Sequence, residues 1–161
     1  MQLLQINTLR KPKYQVSINK IVIKGDWEIQ IDYELPSQDT ERKNVKLFCK
    51  ERPTKQFIEA FEKLKPNLYT ICGLDRKIWE PGRITSIRFK EQEQGTMLSI
   101  TLRVVSEEAI AIAGTEELYP KGEFLDKVNN LIAELEDYIN GVREAQQMTI
   151  DGYLEGQKDN G

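Results

Sequence analysis

The sequence predicts an α+β fold: a largely antiparallel sheet of about five strands, with a short middle helix and a long C-terminal helix packed on it. Three observations carry this expectation. Several short stretches alternate apolar with polar residues, the period of a half-buried strand. Two other stretches repeat apolar residues at three- and four-residue steps, the period of a helix lying on a core. The strands also come in runs, three before the middle helix and two after it, which suits an antiparallel sheet with helices on one face. A chain of 161 residues supports one domain, or one domain plus a tail. The reading places a single domain over 1–146 and a tail over 147–161.

Taken in order, residues 1–9 are weakly apolar and ambiguous, and Arg10-Lys11-Pro12-Lys13 is a basic break. Val16, Ile18 and Val22 alternate within Gln15–Ile23, Gly25-Asp26 signals a tight turn, and Trp27, Ile29, Ile31, Tyr33 and Leu35 alternate with Glu28, Gln30, Asp32 and Glu34. This predicts a hairpin with one wet face. The carboxylates on such a face are solvated, so Glu28 and Asp32 are not read as a catalytic pair. A polar loop over 36–44 leads to a third short strand with Val45, Leu47 and Cys49.

Pro53 or Thr54 opens a helix to about Lys65, with Phe57, Ile58, Phe61 and Leu64 inward, and Pro66 is expected to stop it. Leu68, Ile71 and Leu74 form a second short helical piece ending near Gly73. Arg83 to Lys90 reads as a strand, Leu98, Ile100, Leu102 and Val104 as its partner, and Ala109 to Ala113 as a possible edge strand. The long helix then runs from about Gly122 to Gln146. Phe124, Val128, Leu131, Ile132, Leu135, Tyr138, Ile139 and Val142 form its stripe, while Glu134, Glu136, Asp137 and Arg143 point toward water. The stripe is wide and holds a tyrosine, which suits covering a sheet; a monomer is expected, with a dimer through this helix as the alternative. An oligonucleotide-binding barrel would also use five strands, but the two helices weigh against it.

Composition narrows the chemistry. The chain has no histidine, which removes the commonest general base, the usual Ser and Cys triads and most zinc and iron sites. Cys49 and Cys72 are too few for a structural zinc and stand among apolar neighbours, the setting of buried free thiols. No glycine-rich phosphate loop is present, and the acidic pairs Glu107/Glu108 and Glu116/Glu117 lack metal-ligand spacing. The expectation is a non-enzyme without metal or cofactor; a two-metal nuclease is the weighed exception. No apolar run nears the roughly 20 residues that span a bilayer, and the first residues lack a secretory signal, so a cytoplasmic protein without membrane contact is expected. Net charge is −3, yet the halves differ: residues 1–90 carry 18 Lys and Arg against 11 acids (+7), and residues 91–161 carry 5 against 15 (−10). The favoured reading is that the halves attract each other within one fold.

Two stretches suggest binding. In Arg42–Arg52, Lys46, Phe48, Lys50 and Arg52 put cations around an aromatic on one strand. With Trp27 and Tyr33 they would make a platform for single-stranded nucleic acid, where rings stack on bases and cations hold phosphates. A lysine-protected sheet edge explains the same residues more simply. The other stretch, Gln147-Met148-Thr149-Ile150-Asp151-Gly152-Tyr153-Leu154, resembles the peptide by which replication and repair proteins hold a sliding clamp. Gln147, Ile150, Tyr153 and Leu154 match that pattern, in which one tight turn gathers the aliphatic and aromatic groups into an apolar plug. It departs from the bacterial version at Asp151, where that version has phenylalanine.

The succession Phe57-Ile58-Glu59-Ala60-Phe61, Ile71-Cys72-Gly73-Leu74, Arg83 to Phe89 and Tyr138-Ile139-Asn140-Gly141 through Gln146 is similar to a family of small tailed-phage and prophage proteins with a clamp-motif-like C-terminus. The resemblance implies a non-enzymatic accessory protein of DNA replication or repair in the host cytoplasm, with the clamp of host or phage as partner. Direct single-strand binding by the sheet, and inhibition of a host protein, are the alternatives.

Overall fold

Ile21 and Ile23 recur at alternate positions, as do Ile29 and Ile31, and both pairs can be buried together only if the two runs pair and turn the same side inward. The computed structural model, which describes residues 17–35 and 43–143, has that arrangement. Strand β1 (Ser17–Lys24) lies antiparallel to β2 (Glu28–Leu35), with Ile21 opposite Ile31 and Ile23 opposite Ile29. Strand β3 (Lys43–Cys49) pairs on the far side of β2, Leu47 opposite Ile31. A second meander follows later in the chain: β4 (Arg83–Gln92), β5 (Gly95–Val105) and β6 (Ile110–Gly114). The meanders join where β4 lies antiparallel to β1, Ile87 opposite Ile21, giving the order β3-β2-β1-β4-β5-β6. The sheet therefore has six strands rather than about five. Each half is three strands followed by helix, and the halves meet through their first strands, although no sequence repeat signals it.

Among the described residues there are four helices, and the longer ones pack on one face of the sheet. In α1 (Lys55–Glu62) the Thr54 side chain accepts from the Phe57 N–H at 3.2 Å, satisfying one of the orphan donors of the first turn. Pro66 does not stop a helix as expected. It stands in the first turn of α2 (Lys65–Cys72), where its missing N–H would have had no partner anyway. Gly73, at φ 63°, closes α2 with the Leu74 N–H donating to Tyr69 O at 2.8 Å. Asp75 then caps α3 (Arg76–Trp79), a single turn too short to show a period in the sequence.

Helix α4 (Gly122–Ile139) ends at Ile139 and not near Gln146: Asn140 is its cap and Gly141 turns to φ 96°, so the ladder cannot continue. Two expected outward groups are inward as a result of this packing. Glu136 is buried, and Arg143, beyond the helix, folds back so that its guanidinium lies 3.4 Å from the Tyr138 ring centroid and donates to the Tyr138 carbonyl at 2.5 Å. Val142 leaves the stripe and is partly exposed.

Leu131, Leu135 and Val128 of α4, Phe57 and Phe61 of α1, and Leu64 at the cap of α2 press on the inward isoleucines in one apolar cluster. The stripe of α4 covers the sheet, as its width and its tyrosine suggested. Trp27 meets Phe57 and Phe61 edge-on at centroid distances of 6.4 and 5.8 Å, and Phe57 meets Tyr138 at 5.1 Å. Among the described residues, no helix is long and apolar enough to cross a membrane. The proposed tail, and with it the boundary at 146/147, lies outside the described residues.

Gly82 sits where β4 begins against β5. A Cβ there would fall 2.8 Å from Trp79 O and 3.2 Å from Arg103 O, both backbone atoms that cannot step aside. Gly82→Ala should destabilise the fold by about 1–3 kcal/mol, as overpacking does. Thermal unfolding checks it; an unchanged midpoint would mean the β4–β5 approach is looser than this.

Candidate functional site

Helices cover only the face that carries Ile21, Ile31, Ile87 and Ile100, so by strand alternation the neighbouring residues form a second, uncovered face. Its composition changes from strand to strand. β2 contributes a largely acidic row, Glu28, Gln30, Asp32 and Glu34. β1, β4 and β5 contribute Lys20 and Lys24, Arg88 and Lys90, and Arg103. At the β6 edge the exposed side chains are apolar: Val105, Ile110 and Ile112 are 62%, 57% and 67% exposed.

A shallow basin of about 890 Å³ opens on this face at the end of the sheet where β1 stops and β4 starts. Lys20, Lys24, Arg83 and Arg103 line it, with Val22, Val105, Ile110 and Ile112, and its lining contains no Asp or Glu. A smaller hollow of about 420 Å³ continues from Lys20 past Arg88 and Lys90 toward the other end of β4. From Arg83 to Lys90 the track measures about 23 Å at the usual strand rise.

The register makes this cation cluster costly. Arg83 stands directly across from Arg103, while Lys20 has Arg88 across from it on β4 and Asp32 across from it on β2, so the like-charge cost is greatest at the arginine pair. Like charges on directly opposed residues destabilise a sheet. No ion pair among the described residues involves Lys20, Lys24, Arg88 or Arg103. A register shift between Ile84 and Ser86 gives β4 an extra residue and sets which residues oppose one another from there on. Arg83 is itself fixed: it donates to the Gly25 carbonyl and its guanidinium lies 5.5 Å from the centroid of the Trp27 ring. The arrangement thus presents positioned positive charge beside apolar surface, which suits a polyanion with hydrophobic parts. No group of three or more potential metal ligands forms among the described residues.

The expected platform residues are only partly brought together. Lys46 and Phe48 do face the open side, Phe48 at 68% exposed, and Lys50 follows just beyond the strand. Arg52, however, pairs with Asp26 at 3.1 Å. Trp27 is buried in the aromatic cluster and Tyr33 points to the core side, so neither ring reaches the open face. The acidic row of β2 also separates Lys46 and Phe48 from the basin, with Lys46 opposite Asp32. Gln147, Ile150, Tyr153 and Leu154 lie outside the described residues.

The charge halves are joined at Lys90–Glu117, 3.8 Å apart. Yet the acids of α4 belong to the helical side and the basin cations to the other, so the asymmetry also divides the molecule by face.

Sequence reasoning missed Lys20, Lys24, Arg83, Arg88 and Arg103 because they come from three strands whose adjacency rests on the β1–β4 pairing. Both cysteines are free and half-buried rather than fully buried. Burial pushes the Cys49 thiol up, but hydrogen bonds from Tyr138 and Arg143, the Glu51 backbone and the Arg143 charge outweigh it and hold Cys49 below the ordinary thiol value. Burial alone pushes Cys72 up. Because the thiolate is the nucleophile, Cys49 should alkylate faster than Cys72 near neutral pH, and the gap should narrow as pH rises above both values. Peptide mass mapping after brief iodoacetamide treatment reads this, and equal labelling would contradict it. Compared with protein-family models, with curated proteins and with solved structures, the chain matches none.

Proposed function

We propose that this protein is a non-enzymatic accessory protein of nucleic-acid metabolism that binds single-stranded nucleic acid along the open face of its sheet. The observation that carries this reading is the opposed pair Arg83 and Arg103 in a basin whose lining holds no acid, with Lys20 opposite Arg88 where the basin meets the smaller hollow. Such pairs cost stability in the empty protein and are relieved by an anion between them. A phosphodiester backbone supplies anions in a row, matching a row of cations along β4. The apolar rim of Val105, Ile110 and Ile112 offers base planes a dry surface, though without the aromatic stacking of dedicated platforms. Binding is therefore expected to be electrostatic, weakly sequence-selective and strongly dependent on salt.

Arg103→Glu separates this reading from a merely structural one. It places a carboxylate opposite Arg83, so the fold should gain a few tenths of a kcal/mol while binding falls. For the unaltered chain, four to five phosphate contacts give a slope of log affinity against log salt near about −3. Fluorescence anisotropy with a labelled oligothymidylate, beside thermal melts of both chains, checks the pair of effects. A salt-independent affinity, or a variant that binds as well as the parent, sinks the reading.

A second reading is favoured by the spacing of Gln147, Ile150, Tyr153 and Leu154. In it the segment after Gln146 docks on a sliding clamp and brings the basin to a replication fork. Replacing Ile150 and Tyr153 by alanine should then abolish retention on an immobilised bacterial clamp without changing the thermal midpoint. Unchanged retention, or none by the parent chain, removes this reading.

A further inference from the structure

The basin offers two things at once, four cations and an apolar rim, and the chain carries a segment with the complementary pair of properties. Residues 144–161 hold Glu144, Asp151, Glu155 and Asp159 against the single cation Lys158, and intersperse Met148, Ile150, Tyr153 and Leu154. The other stretches outside the described residues do not fit. Residues 1–16 carry Arg10, Lys11 and Lys13 and no acid, so the basin repels them. Residues 36–42 are short, with one large apolar group at most, and are tied at both ends to the β2–β3 edge across the acidic row.

Position favours the same segment. Arg143, the last described residue, is held against Tyr138, whose hydroxyl donates to Glu51 O at 3.5 Å. Glu51 follows the end of β3, and β3 ends, β1 ends and β4 begins at one and the same end of the sheet. The basin opens there. From the β3 edge to β4 is three inter-strand spacings, about 14 Å. Eighteen residues reach about 60 Å when extended and span about 24 Å even as a flexible coil, so turning the sheet edge needs no rearrangement of the folded part.

We infer that residues 144–161 seat in the basin of their own chain, with Asp151, Glu155 and Asp159 near Lys20, Lys24 and Arg103 and with Ile150, Tyr153 and Leu154 on the Val105–Ile110–Ile112 rim. This rests on the proposed function in one respect: the seated segment occupies the ground that nucleic acid needs, so it acts as a competitor tethered at high effective concentration. Entry of a nucleic acid would free Ile150 and Tyr153 for another protein at the same moment. Seating and release are electrostatic in origin and weaken together as salt rises.

The seat can be tested on the full chain with no nucleic acid present. A water-soluble carbodiimide joins a carboxylate to an amine in direct contact. At low protein concentration it should link Lys20 or Lys24 to Asp151, Glu155 or Asp159 within one chain, and the links should fade above about 0.5 M salt, where the Debye length is only a few ångströms. Links spread evenly over Lys55, Lys63, Lys127 and the basin overturn the inference. The competition is read separately with the triple variant Asp151→Asn, Glu155→Gln, Asp159→Asn, expected to bind oligothymidylate at least fivefold tighter than the parent at low salt. Equal affinity overturns the competition. Basin-specific links with no oligonucleotide binding by either chain uphold the seat and overturn the nucleic-acid reading; binding without such links does the reverse.

Discussion

Trp27 adopts a left-handed backbone conformation, φ 60°, that a bulky side chain avoids at a cost of roughly 1–2 kcal/mol. What offsets that cost is where the ring goes. The turn after β1 tips the indole off the sheet edge and into the gap between sheet and helices, where it meets Phe57 and Phe61 and is 7% exposed. Burial of an aromatic of this size is worth more than the strain. The same ring carries the Arg83 guanidinium on its other side, and Arg83 reaches the Gly25 carbonyl of the very turn that places Trp27. One strained residue thus fixes the hairpin end, the seat of α1 and the first cation of the basin. The apolar core and the charged face are linked through it.

The layering follows from supply. Helices α1 and α4 carry most of the large inward groups outside the sheet, Phe57, Phe61, Phe124, Val128, Leu131 and Leu135, with Leu64 at the cap of α2, and they cover one side of the strands. The described chain has nothing comparable for the other side, so that side is polar over β2, β1 and β4. An exception appears at β6, where Ala111 and Ala113 turn inward and Ile110 and Ile112 turn outward. Small residues inside and large ones outside invert the ordinary economy of an edge strand. Exposed isoleucines on an edge invite unwanted pairing, and their position beside Arg103 ties their retention to whatever occupies the basin.

The fold was legible where period alone decides the outcome. Trp27, Ile29, Ile31, Tyr33 and Leu35 alternate without a break, and Phe124 to Ile139 keep helical spacing, so the first hairpin and the last helix follow from the sequence with few errors. Period fails where an element is as short as Arg76–Trp79, a single turn; the edge strand read over Ala109 to Ala113 is present as β6, though which of its faces is wet is inverted from the usual pattern. It fails again at Pro66 and Gly141, where a residue read as a stop or a weak point is a first-turn proline in one case and a terminator in the other. The site was less legible still. Lys46, Phe48, Lys50 and Arg52 drew attention because they are neighbours in the chain, whereas the cations that converge are 63 residues apart between Lys20 and Arg83 and 20 between Arg83 and Arg103. Pattern shows which side of its own strand a residue takes, but the partner strand comes from the global pairing, and opposed charges exist only once the partner is known.

A sheet that sets arginine against arginine has a stability that depends on its occupant. Each opposed pair costs the empty fold a few tenths of a kcal/mol to about 1 kcal/mol, a modest penalty against the 5–15 kcal/mol that holds an ordinary domain together. An anion bound at a hundred times its dissociation constant returns about 2.7 kcal/mol, which exceeds the sum of both penalties. The charge arrangement is therefore affordable for a protein that is seldom empty and wasteful for one that always is. Distribution of the cost also matters: Arg83 is locked by Trp27 and Gly25, while Lys20 and Arg103 keep long side chains free of ion pairs among the described residues. One fixed cation surrounded by adaptable ones suits a flexible, repeating anion better than a single rigid small molecule, since the fixed charge sets a starting point and the others follow the chain that lies on them.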